Sequence, residues 1–402
     1  MLDGLRRVFG EGFRIFFLGA ALFGIWAMLV WERWMGVQAL GGMVLDPDYG
    51  VAPHLWHAHE MVFGYGSATL AGFLLTAAPN WTGAPPIRPA LVAGSALVWL
   101  AGRVAIALSG SLSAGLVAFV DLAFLPLIAC LVLALLLKKP APRNLVFMGL
   151  LALFWSADLV VHLDWLTLDG PGADAGLRAG LLTLCAMIAI LGGRITPAFT
   201  RNAMSKESGK TQPGPRLPVS RPPVAAAGIL CALALPLLVL ASVPTLLFGS
   251  VAVGAGLAQI ARLSGWRSGW TLRRPILWSL HLGFVMLGLG YLLLGFAALG
   301  VGRDVAALHV LGIGAVGGMT LAVMSRAVLG HTGRPLVAPL AITCAFALMP
   351  VAALLRWAAS SFGMDGYFTL TLLAGAAWIL ALSLFVLSLA PALFGPRLSA
   401  SA

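Results

Sequence analysis

Charge is what this chain has least of. Only 10% of its 402 residues are Asp, Glu, Lys or Arg, against roughly 25% in an ordinary soluble domain. With 60% hydrophobic residues, neither a water-soluble globular fold nor a disordered chain is compatible with the composition. Short alternating apolar and polar segments are also lacking. Runs such as Leu145 to Leu163 and Ile276 to Gly300 stay predominantly apolar without alternation, which excludes the alternating strands of a transmembrane β-barrel. Cysteine is scarce: Cys130, Cys185, Cys231 and Cys344 all sit inside apolar runs with no CxxC spacing, so a disulfide framework and a thiolate metal site are both excluded. Acidic residues number 14 against 25 basic ones, a formal net charge of +11. The basic residues lie between apolar runs, not on one stripe or tail, so they orient the chain in a bilayer and do not bind nucleic acid.

What is present is apolar length, with a mean hydropathy of +0.98 and enough apolar positions for roughly twelve spans of ~20 residues. Boundaries at Pro, Gly and charge predict helices at 13–34, 54–78, 88–109, 113–137, 143–166, 177–199, 223–243, 245–262, 275–298, 304–328, 335–357 and 366–390. The expected fold is an all-α polytopic membrane protein. Arg6 and Arg7 resemble a signal n-region, but the run from Phe13 to Trp31 is longer than an h-region, so it is expected as a retained first span. With the N-terminus inside, the inner loops collect Arg88, Lys138, Lys139, Arg201, Arg221, Arg267, Arg273, Arg274 and Arg397, and the outer loops only Arg33, Arg178, Arg303 and Arg356. The positive-inside rule then places both termini in the cytoplasm. Residues 201–223 read as a cytoplasmic linker between an N-terminal half, 1–200, and a C-terminal half, 224–402, of one integral membrane domain. The Gly-Lys-Thr within it lacks the spacing of a phosphate-binding loop.

All seven histidines, His54, His57, His59, His162, His281, His309 and His331, lie within or at the ends of predicted spans. An ionisable group at membrane depth is costly and normally faces a partner, a cofactor or water. Five of them, His54, His57, His59, His162 and His309, share the outer leaflet in this topology. On a helix opened by Pro53, His54 and His57 are about 60° apart while His57 and His59 are about 160° apart. The segment therefore offers two faces to two metal centres, and imidazole suits copper, zinc and iron. Glu60 is a proton carrier or an acceptor for an imidazole N–H. Arg103 and Asp121 lie at similar depth across a short hairpin and are expected to pair. His281 and His331, towards the inner side, either form a second site or are unrelated anchors. Arg194, Arg201, Arg326 and Arg334 reach the inner face, where they converge on an anion or serve as ordinary positive-inside anchors. Gly312, Gly314, Gly317 and Gly318 permit close approach of a helix or of a flat macrocycle.

The sequence resembles the NnrS family of haem- and copper-containing membrane proteins of the nitric oxide response. The resemblance rests on His57-Ala58-His59-Glu60-Met61-Val62-Phe63-Gly64, on Gly72-Phe73-Leu74-Leu75-Thr76-Ala77 with Asn80-Trp81-Thr82-Gly83, on Gly192-Gly193-Arg194 with Phe199-Thr200, and on Val323-Met324-Ser325-Arg326 with Gly330-His331-Thr332-Gly333-Arg334. It implies a bacterial inner-membrane protein that protects cells under nitrosative stress. Combined with the shared depth, it leads to these expectations: His59 and His309 as axial ligands of a b-type haem; His54, His57 and His162 around copper; Glu60 delivering protons; Arg194, Arg326 and Arg334 on haem propionates. Nitric oxide is then bound, and reduced if quinol or another donor supplies electrons. A non-catalytic sensor, scavenger or metal handler, and a proton-coupled transporter, remain the other classes.

Overall fold

In hydrocarbon every backbone N–H and C=O must be satisfied within its own segment, so an apolar run of about 20 residues has the α-helix as its solution. The computed structural model of the chain forms such helices. It describes residues 2–44, 46, 48–208, 217–363 and 366–398, and among these there is no strand. Twelve helices are long and apolar enough to cross a membrane. They are Gly12–Ala39, Pro53–Thr82, Pro89–Ala107, Ala114–Leu136, Asn144–Trp165, Ala173–Glu207, Pro222–Leu240, Thr245–Leu263, Pro275–Ala298, Asp304–His331, Leu340–Ser361 and Tyr367–Phe394, spans one to twelve below. All twelve expected helices are present. The sixth runs on to Ser208, so residues 201–208 of the expected linker are helical, while 209–216 lie outside the described residues.

The chain forms two compact units that do not follow sequence order. One comprises Met1–Gly180, Met324–Leu336 and Leu382–Ala402; the other comprises Leu181–Val323 and Val337–Ala381.

In the first unit, arginines close the end of the last span, whose final carbonyls have no partner within the helix. Arg14, buried in the first turn of span one, donates from Nη1 to the carbonyls of Ala392, Leu393 and Gly395 at 2.8, 2.7 and 3.0 Å and pairs with Glu11. Arg7 reaches the Phe394 carbonyl at 3.3 Å and Arg334 that of Pro391 at 3.0 Å. The Gly330-to-Arg334 block is thus a joint. His331 packs on Phe13 with ring centroids 5.4 Å apart, and the Thr332 carbonyl accepts from Leu398 N at 2.9 Å. Gly333 turns with φ +72°, where a Cβ would sit 2.3 Å from the Leu398 carbonyl oxygen.

In the second unit, spans eight and nine are fitted by small residues. A Cβ on Gly256 would meet the Gly288 carbonyl at 2.8 Å, and one on Gly295 would meet the Gly249 carbonyl at 2.8 Å. Two spans, one in each unit, open their helix in the same way. In span two a π-helical segment, Glu60–Tyr65, begins directly after His59. In span ten another, Val310–Gly317, begins directly after His309. Such segments are rare and frequently mark functional sites.

Candidate metal centre

Three spans of the first unit send four polar side chains to one buried point. His59 lies about 9 Å, six residues, inside the start of span two at 1.5 Å per residue. Asp121 is at comparable depth in span four, and Asp158 and His162 share one face of span five at i, i+4. Because successive spans run in opposite directions, these positions lie at the same end of the unit. His59, Asp121, Asp158 and His162 are all buried, and one ligand atom from each lies within 4.8 Å of every other. His59 Nε2 is 3.1 Å from Asp158 Oδ1 and 3.2 Å from Asp121 Oδ2. His162 Nε2 is 2.9 Å from the same Asp121 oxygen and 3.9 Å from Asp158 Oδ1.

Around this tetrad stands an orienting layer. Glu60 Oε1 accepts from His59 Nδ1 at 3.0 Å, which turns Nε2, with its lone pair, towards the tetrad. The guanidinium of Arg103 in span three donates one N–H to that same Glu60 oxygen and another to Asp121 Oδ1. It therefore fixes both carboxylates at once, as a planar fork can and an ammonium cannot. Two glycines make room for the arrangement. A Cβ on Gly102 would lie 2.7 Å from Asp121 Oδ1, and one on Gly64 would lie 2.9 Å from Arg103 Nη1 and 3.1 Å from Glu60 Oε2. Trp165 covers both imidazoles, its ring 5.0 Å from His59 and 5.2 Å from His162, and Phe63 lies 5.3 Å from His59.

Electrostatics give the cluster its character. Asp121, Asp158 and Glu60 bring three negative charges and Arg103 one positive charge, so with neutral imidazoles the buried group carries a formal charge of −2. An uncompensated double charge in a low-dielectric interior is prohibitive; a divalent ion on the four converging donors would cancel it, as would a proton on each imidazole, whose Nε2 atoms lie within hydrogen-bond distance of the carboxylates. Two imidazole nitrogens and two carboxylate oxygens form a donor set suited to borderline first-row divalent metals.

The chain matches the family described as "NnrS protein" over residues 7–397. It belongs to the NnrS family. No curated protein matches it. Membership suggests a membrane protein of the nitric oxide response. In this NnrS-family chain the sequence blocks take on definite tasks: the His57-to-Gly64 block contributes His59, Glu60 and Gly64 to the centre.

The other expected residues have different surroundings. His54 is exposed at the mouth of span two, and the His57 ring is stacked on Trp31 at 4.4 Å. His162, expected with those two, joins His59 in the tetrad. His281 in the second unit has each ring nitrogen on a hydroxyl, Thr200 Oγ1 at 3.0 Å and Ser268 Oγ at 2.8 Å. His309, also in the second unit, is half-buried, with Nδ1 on the Val305 carbonyl at 2.7 Å. Arg194 and Arg201 are exposed and Arg326 half-buried. Arg201 donates to the Pro218 carbonyl at 2.8 Å, and Arg334 is engaged with backbone carbonyls as described. The pair of glycines before Arg194 seats a different arginine: a Cβ on Gly193 would lie 1.8 Å from Arg262 Nη2. Buried Arg262 donates to the Ala189 carbonyl at 2.8 Å and to Gln259 Oε1 at 2.7 Å.

Arg103 and Asp121 pair as their shared depth suggests. Of the four cluster members, Asp121 is expected from sequence only as the partner of Arg103, and Asp158 is not singled out. Its signal is the Asp-x-x-x-His spacing with His162, which sets a carboxylate and an imidazole on one face of an otherwise apolar helix.

Proposed function

We propose that this protein holds a metal ion on His59, Asp121, Asp158 and His162 and binds nitric oxide there, as a component of the bacterial nitric oxide response. In the cell it sits in the inner membrane with both termini cytoplasmic, which puts the centre near the outer leaflet. The observation that carries the proposal is the convergence of four buried donors from three spans, oriented by Glu60 and Arg103, in a unit otherwise poor in polar groups. Structural ion pairs need no such agreement of ligand atoms, and orientation of an imidazole by a carboxylate on its far nitrogen is the usual support of a metal ligand.

The two cofactors implied by the resemblance fit this site differently. Copper in its divalent state accepts two imidazoles and two carboxylates. Haem does not fit His59, because a macrocycle facing Nε2 would occupy the place of the Asp121 and Asp158 oxygens, 3.1 to 3.2 Å away. The glycines of span ten do not cradle a macrocycle either: a Cβ on Gly314 would meet Met286 at 3.0 Å and one on Gly317 would meet Trp378 at 2.4 Å, so side chains of the same unit fill that face. His309 stays in this proposal as the haem b ligand that the resemblance implies, its Nδ1 lying 2.7 Å from the Val305 carbonyl oxygen.

Bound metal supplies open coordination for a small neutral gas. The chain's own residues position and neutralise that ion, and Trp165 and Phe63 shield it from water. Glu60, hydrogen-bonded to a ligand imidazole and with Oε2 buried without a partner among the described residues, is placed to pass a proton. Reduction of two nitric oxide molecules to nitrous oxide and water takes two electrons and two protons, so turnover requires a donor such as quinol.

The test is anaerobic. Purified protein is quantified for copper, iron and haem per chain, then titrated with nitric oxide with and without quinol while gas loss is followed. Metal at one ion per chain with a spectral response that His59→Ala abolishes supports the proposal, and sustained loss with quinol adds catalysis to binding. A folded protein that takes up neither metal nor nitric oxide overturns it and favours a transporter.

A further inference from the structure

Arg103 does more than hold two carboxylates. We infer that it is the counter-charge that fixes the ion of this centre in the divalent state, an inference that rests on the metal-holding proposal above. Asp121, Asp158 and Glu60 contribute −3 and Arg103 +1, so a divalent ion brings the closed cluster to zero. A monovalent ion leaves −1 and a trivalent ion leaves +1.

Each imbalance would lie among buried side chains under Trp165 and Phe63, where charges are screened far less than at a surface. The guanidinium is itself buried, and both carboxylates it touches belong to the cluster. The donor chemistry agrees with the charge count. Carboxylate oxygens disfavour cuprous copper, and the absence of thiolate removes the usual soft ligands. The ligand class is a first-row ion that stays at +2, such as iron(II), which meets nitric oxide as a neutral ligand without changing the charge of the site.

Arg103 is thus a positioning residue with an electrostatic consequence that a mere structural anchor lacks. Removing its charge makes the cluster −1 around a divalent ion and neutral around a trivalent one, so the trivalent state gains. Arg103→Met keeps the apolar stem and deletes the charge, and Arg103→Lys keeps the charge and deletes the fork.

The experiment loads full-length protein in detergent with ferrous sulfate under argon, counts iron per chain, and titrates the iron(II)/iron(III) couple with chemical mediators. Helical content and elution volume check the fold, and His59→Ala serves as the empty control. The expected result is one iron per chain in wild type and in both Arg103 variants. At a fixed mediator potential the ferric-to-ferrous ratio rises at least tenfold in Arg103→Met, equal to 59 mV for a one-electron couple, and stays near wild type in Arg103→Lys.

Folded Arg103→Met that holds iron with an unmoved ratio overturns the inference while leaving the metal site standing. Folded variants that both lose iron also overturn it, making Arg103 a structural clamp. Wild type that takes up no ion defeats the metal-holding proposal itself.

Discussion

Glu60 and Asp121 share one guanidinium but stand in different places, and substitution should separate them. Glu60 touches the tetrad directly at His59 Nδ1 and indirectly through Arg103, so Glu60→Gln, which keeps an acceptor and loses charge, should weaken metal affinity about 10–100-fold without unfolding the protein. Metal content after dialysis against graded chelator measures this, and unchanged retention would deny Glu60 its orienting role. Asp121 supplies Oδ2 to both imidazoles and Oδ1 to Arg103. Asp121→Asn therefore strips a ligand and leaves Arg103 with one carboxylate fewer, and removing one partner of a buried pair costs about 3–5 kcal/mol. Asp158 touches only the imidazoles, so Asp158→Asn should lose metal with a much smaller fall in thermal stability. Equal melting temperatures for the two variants would contradict this division. Metal content and thermal unfolding of the same preparations report both effects.

The spans are legible in the sequence in number and order, with ends off by several residues as at span six, expected at 177–199 and found at Ala173–Glu207, because lipid leaves an apolar run no alternative to a helix. What lies inside a span is less so. The π-helical segment after His59 carries no composition signal, since Glu60-Met61-Val62-Phe63-Gly64-Tyr65 reads as ordinary helix, yet its extra residue sets where His59 points relative to Gly64 and the rest of span two. Deleting Met61 should restore an α-helical register and swing His59 by about 100° against the lower span. The expected outcome is a folded, metal-free protein, read from helical content and metal analysis together; full metal occupancy would mean that the segment has no part in aiming the ligand. Spans eight and nine offer a packing counterpart. A side chain at Gly256 has no space against the Gly288 carbonyl, so Gly256→Leu should destabilise the protein by about 1–3 kcal/mol. A thermal melt in detergent checks the direction.

Across the whole chain, the positive-inside pattern gives an orientation that cysteine labelling can decide. In a cysteine-free background, Ser111→Cys in the hairpin between spans three and four should react with a membrane-impermeant maleimide on intact spheroplasts, and Ser264→Cys between spans eight and nine only after lysis. The reverse pattern would put the metal centre on the cytoplasmic side. Both serines are exposed, so either result is readable. The histidines announce that one end of the first unit matters, and His59, His162 and Glu60 meet there. The sequence cannot show that His57 turns to Trp31 or that Arg334 and Arg14 serve the last span. Those outcomes depend on groups far apart in sequence meeting in space, 57 positions for Arg334 and Pro391 and 379 for Arg14 and Leu393, and no local period encodes such a meeting. The split into discontinuous units has the same origin.

That latch has a consequence during synthesis. The ribosome delivers Arg7 and Arg14 early, and the carbonyls they bind at Ala392 to Gly395 only near the finish. A nascent chain therefore waits through most of translation with the first unit unlatched and Arg14 without its carbonyl acceptors, open to quality-control proteases. Loss of the final turn by a stop codon would leave every ligand encoded and the vessel unsealed, so the expected phenotype is rapid turnover of the polypeptide and not an inactive but abundant protein.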